Sequence, residues 1–506
     1  IVANNALQKS QNNLSTSIER LSSGYKINGS KDDAAGCAIS EKMRAQIRGL
    51  SQAQNNTADG VSVLNTAEGA ITEIQSMLTR LKELSVQAAN DVNSDDEREA
   101  IQKEIEQINN EIDRISDQTE FNTQSLINGN LSRRVYSDLQ GVNQLSVSDS
   151  YTAGVYGITV TEDARQAIAV GAGSITMSST ASITEEQAGA ININGYKISI
   201  SEGDTLDKVM GKIIDGVNIT GGSAFTVKDL NNDTAANGTD YAGYVPTADY
   251  AGSTLVIMTN QYGSDQKMNI TCDNAELADI LGIPQAATQD GIYVEGSDVK
   301  AEIATGDDGK RIGFADSAIL STKGTVITVT DVNNKEFSMD VPGNAAGTVF
   351  DDSNNDGQSA AGAGTARTIS QEVTDVGTMS IHVGANQDQV IVIDIPAITT
   401  YSLGTEHMNV MTQYTASRAI STVDEAINKT NKIRSRIGAY ENRFDHTTNN
   451  LEVSSENLTK SLSTMIDTDM SEEMTTYTSE TVLTQAATSI LAQANERPSQ
   501  VLQLLQ

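Results

Sequence analysis

The sequence predicts an α+β protein, with long terminal helices paired as a coiled coil or helical bundle and a β-rich outer insertion. Three observations predict it. Residues 1–130 hold seven of the 39 glycines and residues 420–506 hold only Gly438, so 31 fall between these stretches. All five prolines follow residue 245. Apolar residues recur at steps of three and four at both ends, whereas in the middle they alternate with polar ones.

Taken in order, Leu7, Leu14, Ile18 and Leu21 open a helical seam, which Gly24 can end before Asn28-Gly29 turns the chain. Leu64, Ala67, Ile71, Ile74, Leu78 and Leu81 form a second stripe. Ile101, Ile105, Ile108, Ile112 and Ile115 form a third, opened by a capping box of Ser94 and Glu97. Ser30 with Asp33, and Ser421 with Asp424, repeat that cap more weakly. Near the other end stand Ile437, Tyr440, Phe444, Thr447 and Leu451. Leu483, Ala487, Ile490, Ala494, Val501 and Leu504 follow them, with Arg497 interrupting. A repeat of about 3.5 residues makes a narrow seam that buries little alone, so the two ends are expected to pair as a rod. Between them, 157–161, 191–200, 325–330, 337–341 and 390–395 read as strands, in one or two small domains. Asn194-Gly195 and Asn333-Asn334 suit hairpin turns, 205–214 a short helix and 357–364 a loop.

Composition excludes several functions. The net charge is -33, and residues 136–375 carry 33 acidic against 12 basic residues, a balance of -21. Nucleic-acid binding, which needs clustered Lys and Arg, is not expected. No apolar run reaches the roughly 18 residues of a membrane span, so no membrane insertion is expected, and no signal-peptide pattern opens the chain. Cys37 and Cys272 lie far apart, so a disulfide framework is not expected, and Cys37 reads as a small core residue. His382, His407 and His446 are isolated, which argues against a His-Glu-His zinc site and against catalysis. Asp352, Asn354, Asp356 and Gly357 are spaced like the start of a calcium loop, but Ala363 stands where the closing Glu belongs. They read as an acidic turn, and no metal or cofactor is expected.

The ends carry a family pattern. The first contains 10–14 (SQNNL), 19–24 (ERLSSG), Ile27-Asn28, 31–36 (KDDAAG) and Ala38-Ile39. The second contains 434–438 (RSRIG), 441–444 (ENRF), 457–459 (NLT), 485–495 and 501–505. These segments resemble bacterial flagellin over roughly 1–130 and 378–506, and the family pattern begins upstream of Ile1. Two weaker likenesses are Ile193-Asn194-Gly195, to a module of flagellin insertions, and 381–388, to the hairpin that closes the inner domain.

The resemblance implies a secreted, extracellular structural subunit, not an enzyme, that self-assembles into the helical filament of the bacterial flagellum for motility. It implies that 1–34 and 462–506 form an inner coiled coil, with Leu7, Leu14, Leu21, Leu483, Ile490 and Val501 on its seam. Segments 35–135 and 376–461 would form the helical rod with its hairpin, and 136–375 the variable outer part. The termini would order on polymerisation. Implied partners are further copies of the chain, the export apparatus and its chaperone, and the filament cap and hook-junction proteins. The alternative is a hook–filament junction protein. Finally, 80–87 (RLKELSVQ) resembles the flagellin segment recognised by vertebrate Toll-like receptor 5 in innate immunity, which would act on the monomer. Arg80, Leu84, Gln87 and Glu104 match its contact positions, and helix geometry sets Arg80, Leu84 and Gln87 opposite the core stripe.

Overall fold

A computed structural model describes residues 2–148, 151–171, 173–227, 250, 252–283, 291–306, 309–331, 335–343, 350–351, 360–361, 366–374 and 376–504. Eight α-helices occur among them: α1 (Val2–Ser23), α2 (Ala34–Ala88), α3 (Asp95–Gln118), α4 (Leu206–Ile219), α5 (Ala275–Ile280), α6 (Thr400–Leu403), α7 (Gln413–Ile466) and α8 (Met470–Leu504). The 55 residues of α2 extend about 80 Å at the helical rise. The Asn333-Asn334 turn and the calcium-like residues lie outside the described residues, as does the 357–364 loop except for Ala360–Ala361, a two-residue strand paired with Phe350–Asp351.

The chain divides into two compact units, and the division falls inside α2 and α7. One comprises Ile1–Ser62, Ser380–Ile391 and Tyr440–Gln506, the other Val63–Met379 and Val392–Ala439.

In the first unit α1 and α8 run antiparallel. Gly24, at φ +78°, ends α1, a backbone region that glycine enters without Cβ strain. The chain next pairs Tyr25 with Asp467, where α7 gives way to α8. The turn that follows is held by Asp32, whose carboxylate accepts the backbone N–H groups of Asn28 and Gly29. Asp33, rather than Ser30, caps α2, accepting from the Ala35 N–H at 3.0 Å. Leu50, Ala53 and Leu451 form a small core between α2 and α7. A Cβ on Gly60 would stand 3.0 Å from the Phe444 ring, so glycine here permits close helix packing. Cys37 is half-buried rather than a core residue, because it sits on the first turn of α2, where only one side is covered. The hairpin 380–391 is tied by Val383 N–H to Gln389 O at 2.8 Å.

In the second unit the α2 stripe from Leu64 to Leu81 is fully buried. Ile101, Ile105 and Ile112 of α3 are buried as well, whereas Ile108 and Ile115 are only partly covered. The Ser94–Glu97 capping box is formed in full, and three acidic residues occupy the first turn of α3. Ser421 and Asp424 do not start a helix. They lie within α7, which begins after a reciprocal pair in which Thr415 N–H donates to Thr412 Oγ1 and Thr412 N–H to Thr415 Oγ1.

The middle of the chain holds two β modules with separate cores. In the first, strands Ile292–Glu295, Lys267–Cys272, Gly189–Ile193 and Tyr196–Ile200 form one antiparallel sheet. A three-stranded sheet of Ile168–Val170, Thr254–Thr259 and Gly222–Val227 lies beside it. Together with α4 and α5 they enclose a core that includes Ile191, Ile198, Met210, Ile213 and Leu277. Asn194 (φ +50°) and Gly195 (φ +90°) make the tight turn anticipated there. The second module is formed by chain from both sides of the first. Its two four-stranded sheets enclose Tyr156, Ile158, Phe314, Phe337 and Ile369. Tyr151, Tyr156, Phe314 and Phe337 meet mainly edge to face at 5.1–6.1 Å between ring centres. A chain poor in aromatics therefore concentrates several of them in one core.

Candidate interaction surface

The described residues contain no cluster of His, Cys, Asp and Glu able to hold a metal ion, and no helix long and apolar enough to cross a membrane. The chemistry of interest is that of surfaces, and two of them involve the residues singled out in the sequence.

The first is formed by α1 and α8. Leu7, Ser10, Leu14, Ser17 and Leu21 follow a three-four spacing down α1, with the serines buried and the leucines half-buried. On α8 the partly covered positions include Glu473, Tyr477, Glu480, Thr484, Ala487 and Leu491. The contact is largely polar. Ser10 Oγ and Asn13 Nδ2 both donate to the Glu480 carboxylate, and these bonds hold its pKa below the usual range. Thr484 Oγ1 donates to Ser10 Oγ at 3.3 Å, and Arg20 approaches Glu473 at 3.6 Å.

Leu483 and Ile490 are not in this intrachain seam. They are 52% and 57% exposed, with Met470, Met474 and Val482 of α8 and Ile18 of α1 similarly uncovered. The reason is that α8 carries apolar residues on more than one face, and a period alone does not say which face meets α1. The serine and threonine positions at the same spacing, which mark the face α1 covers, were legible but unread. Val501 lies in α8, but its side chain is outside the described residues.

The second surface is carried by α2 and α3. Arg80 bridges the helices, its Nε and Nη2 donating to Glu104 Oε1 at 3.0 and 2.9 Å and its Nη1 to Glu83 Oε2 at 3.1 Å. These bonds, that to Glu104 foremost, raise the Arg80 pKa. Arg80 and Glu104 remain about half exposed, so the pair is a solvent-screened surface feature. Gln87 is exposed one to two turns further on.

Leu84 is different. It is 1% exposed and extends the buried stripe toward Ala88, not the outer face on which the helical wheel set it. The Arg80–Glu104 bridge and the bond from Arg98 Nε to Ala88 O lay α3 along that edge of α2. A wheel drawn for one helix assumes one covering neighbour, and α2 has more. The structure thus brings Arg80, Gln87 and Glu104 to one exposed region and leaves Leu84 beneath it. Val86, which the sequence reading passed over, is the exposed apolar residue next to Gln87.

Residues 1–132 match the family model for the bacterial flagellin N-terminal helical region, and residues 420–505 the model for the C-terminal helical region. A flagellin of Salmonella typhimurium is 31% identical over 530 aligned residues that cover 100% of this chain and 98% of that protein. A flagellin of Clostridium tyrobutyricum is 29% identical, with 98% of each chain covered. Among solved structures, flagellar hook associated protein-3 of Legionella pneumophila matches 84% of this chain and 98% of its own at 13% identity, with a TM-score of 0.29.

Proposed function

The chain belongs to the bacterial flagellin family and is a structural subunit of the extracellular flagellar filament; on that premise we propose how its surfaces serve assembly and recognition. The apolar side chains of α8 that α1 does not cover, Leu483 and Ile490 above all, are the contact between subunits. The observation that carries this reading is their exposure beside a polar intrachain seam. Large apolar groups gathered on one exposed helix pair are stabilised by burial against further copies. In this reading 1–34 and 462–506 line the filament interior, 35–135 and 376–461 form the surrounding shell, and 136–375 faces solvent. The export apparatus, its chaperone, the cap and the hook-junction proteins would engage the same terminal helices.

Electron microscopy of purified protein under assembly conditions tests this. Leu483→Asp and Ile490→Asp alter exposed positions, so the monomer should keep its circular dichroism while filaments are lost. Filaments of normal length from the double variant would refute the subunit contact.

The monomer is further proposed as a ligand of vertebrate Toll-like receptor 5 through Arg80, Gln87 and Glu104. Support for this comes from their shared exposure on α2 and α3. Leu84 acts from below, by holding α2 against its neighbours. Alanine at the three exposed positions together should raise the half-maximal concentration in a receptor reporter assay by about tenfold or more. An unchanged dose response would remove this face from recognition.

A further inference from the structure

A second site lies where the first β module meets the start of α7, within one compact unit. There a cleft of about 470 Å³ is lined by Asn218, Thr220, Asn260, Gln261, Tyr414 and Arg418, among others. That volume suits a small ligand. Its lining is amide and hydroxyl rather than apolar, which disfavours a hydrocarbon occupant.

The unusual member is Arg418. It is partly buried, and desolvation lowers the pKa of its guanidinium. Yet among the described residues its one hydrogen bond is a long one, from Nη2 to Gln261 Oε1 at 3.3 Å, and Gln266 Nε2 shares that acceptor at 3.1 Å. No carboxylate of the described residues stands within ion-pair distance of it. Elsewhere in the protein, partly covered arginines are paired: Arg434 with Glu68 at 3.3 Å and Arg436 with Asp394 at 3.6 Å. The remaining N–H donors of Arg418 have no acceptor among the described residues and are not sealed from solvent, so they open onto the cleft, where an occupant can accept from them. Asp265 acts on the guanidinium through space but is itself paired with Lys323 at 3.4 Å.

The other lining groups are also only partly used. Asn218 has no side-chain partner among the described residues. Asn260 uses its Oδ1, accepting from Ser223 Oγ at 2.6 Å, and keeps its amide N–H groups. Tyr414 donates its hydroxyl to Asp265 O at 3.3 Å and can still accept. Lys267, at the rim, is neutralised by Glu295 at 2.7 Å, which leaves Arg418 as the charge to be met. A planar fork of donors matches a carboxylate. Neighbouring amides and a hydroxyl match the hydroxyls of a polyol.

We propose that this cleft binds a hydroxylated carboxylate the size of a single sugar acid, with the carboxylate on Arg418 and hydroxyls on Asn218, Asn260 and Tyr414. The test is calorimetric titration of the full-length monomer with glucuronate, glucose and inorganic phosphate, with thermal melts run alongside. Glucuronate should bind and raise the melting temperature, with glucose and phosphate weaker by about tenfold or more. Arg418→Gln should abolish glucuronate binding. Arg418→Lys, which keeps the charge and loses the fork, should weaken it. Asn218→Ala, at an exposed position that does not threaten folding, should weaken it as well. Three outcomes would overturn the proposal: no glucuronate binding by the native chain, phosphate binding as tightly, or full binding by folded Arg418→Gln.

Discussion

Leu84 illustrates how one side chain is decided by its neighbours. The helical wheel sets it off the stripe to which Leu78 and Leu81 belong, and α3 makes that face interior. Removing its buried methyl groups leaves a cavity in a packed bundle, so Leu84→Ala should destabilise the protein by about 2–5 kcal/mol. Denaturant titration followed by circular dichroism measures this. A loss below about 1 kcal/mol would mean the site collapses without penalty. Cys272 shows the same dependence. It is buried in the first β module, and desolvation pushes its thiol pKa up, while Cys37 is partly open to solvent. Nothing local to either cysteine distinguishes them in the sequence.

At the scale of elements, α4 is secured by one carboxylate. Asp204 lies just before it and accepts from Lys208 Nζ at 2.8 Å, Lys212 Nζ at 2.6 Å and the Ser201 N–H at 3.0 Å. The lysine bonds foremost hold its pKa well below the carboxylate range. A depressed folded-state pKa contributes stability that is present above the unfolded value, about 3.9, and is lost as pH falls below it. Asp204→Asn should therefore lower the melting temperature at neutral pH, with the gap to the native chain narrowing in acid. A gap that does not change from pH 7 to pH 3 would exclude this linkage. Most elements were legible: the α3 cap, the Gly24 stop and the Asn194-Gly195 turn depend on residues adjacent in sequence. The reading erred at Ser30 and Ser421, where a three-residue spacing matched a cap but other residues, Asp33 and Thr412, start the helices. Such spacings arise by chance in a chain rich in Ser, Thr and Asp.

At the scale of the whole chain, most of the net negative charge and the long helices fall in different stretches of sequence. The balance of -21 over 136–375 belongs to the stretch that builds the β modules, while α1 and α8 meet through a narrow seam in which half-buried Leu7, Leu14 and Leu21 alternate with serines, Ser10 meeting Thr484 and Glu480 and Arg20 approaching Glu473 of α8. A helix pair held that way draws little stability from burial and depends on further neighbours. Amide hydrogens of α1 and α8 should exchange quickly in the monomer and become protected in the filament, as read by exchange mass spectrometry. Equal protection in both states would show that the pair is stable alone. The α2 stripe from Leu64 to Leu81, already buried in the single chain, should be protected throughout.

The sequence by itself determined the helical ends, the strand-rich middle, the separation of charge and the family. These follow from propensity, capping and periodicity, which act between residues close along the chain. Only the tertiary structure decided that Leu84 turns inward, that Leu483 and Ile490 stay outside the intrachain seam, and that Arg418 lines a cleft with no ion-pair partner among the described residues. Burial and pairing depend on how many elements surround a side chain and what charges they bring. Those neighbours, such as α3 along α2 or Gln261 beside Arg418, come from distant parts of the chain or from separate elements, so no local pattern encodes them.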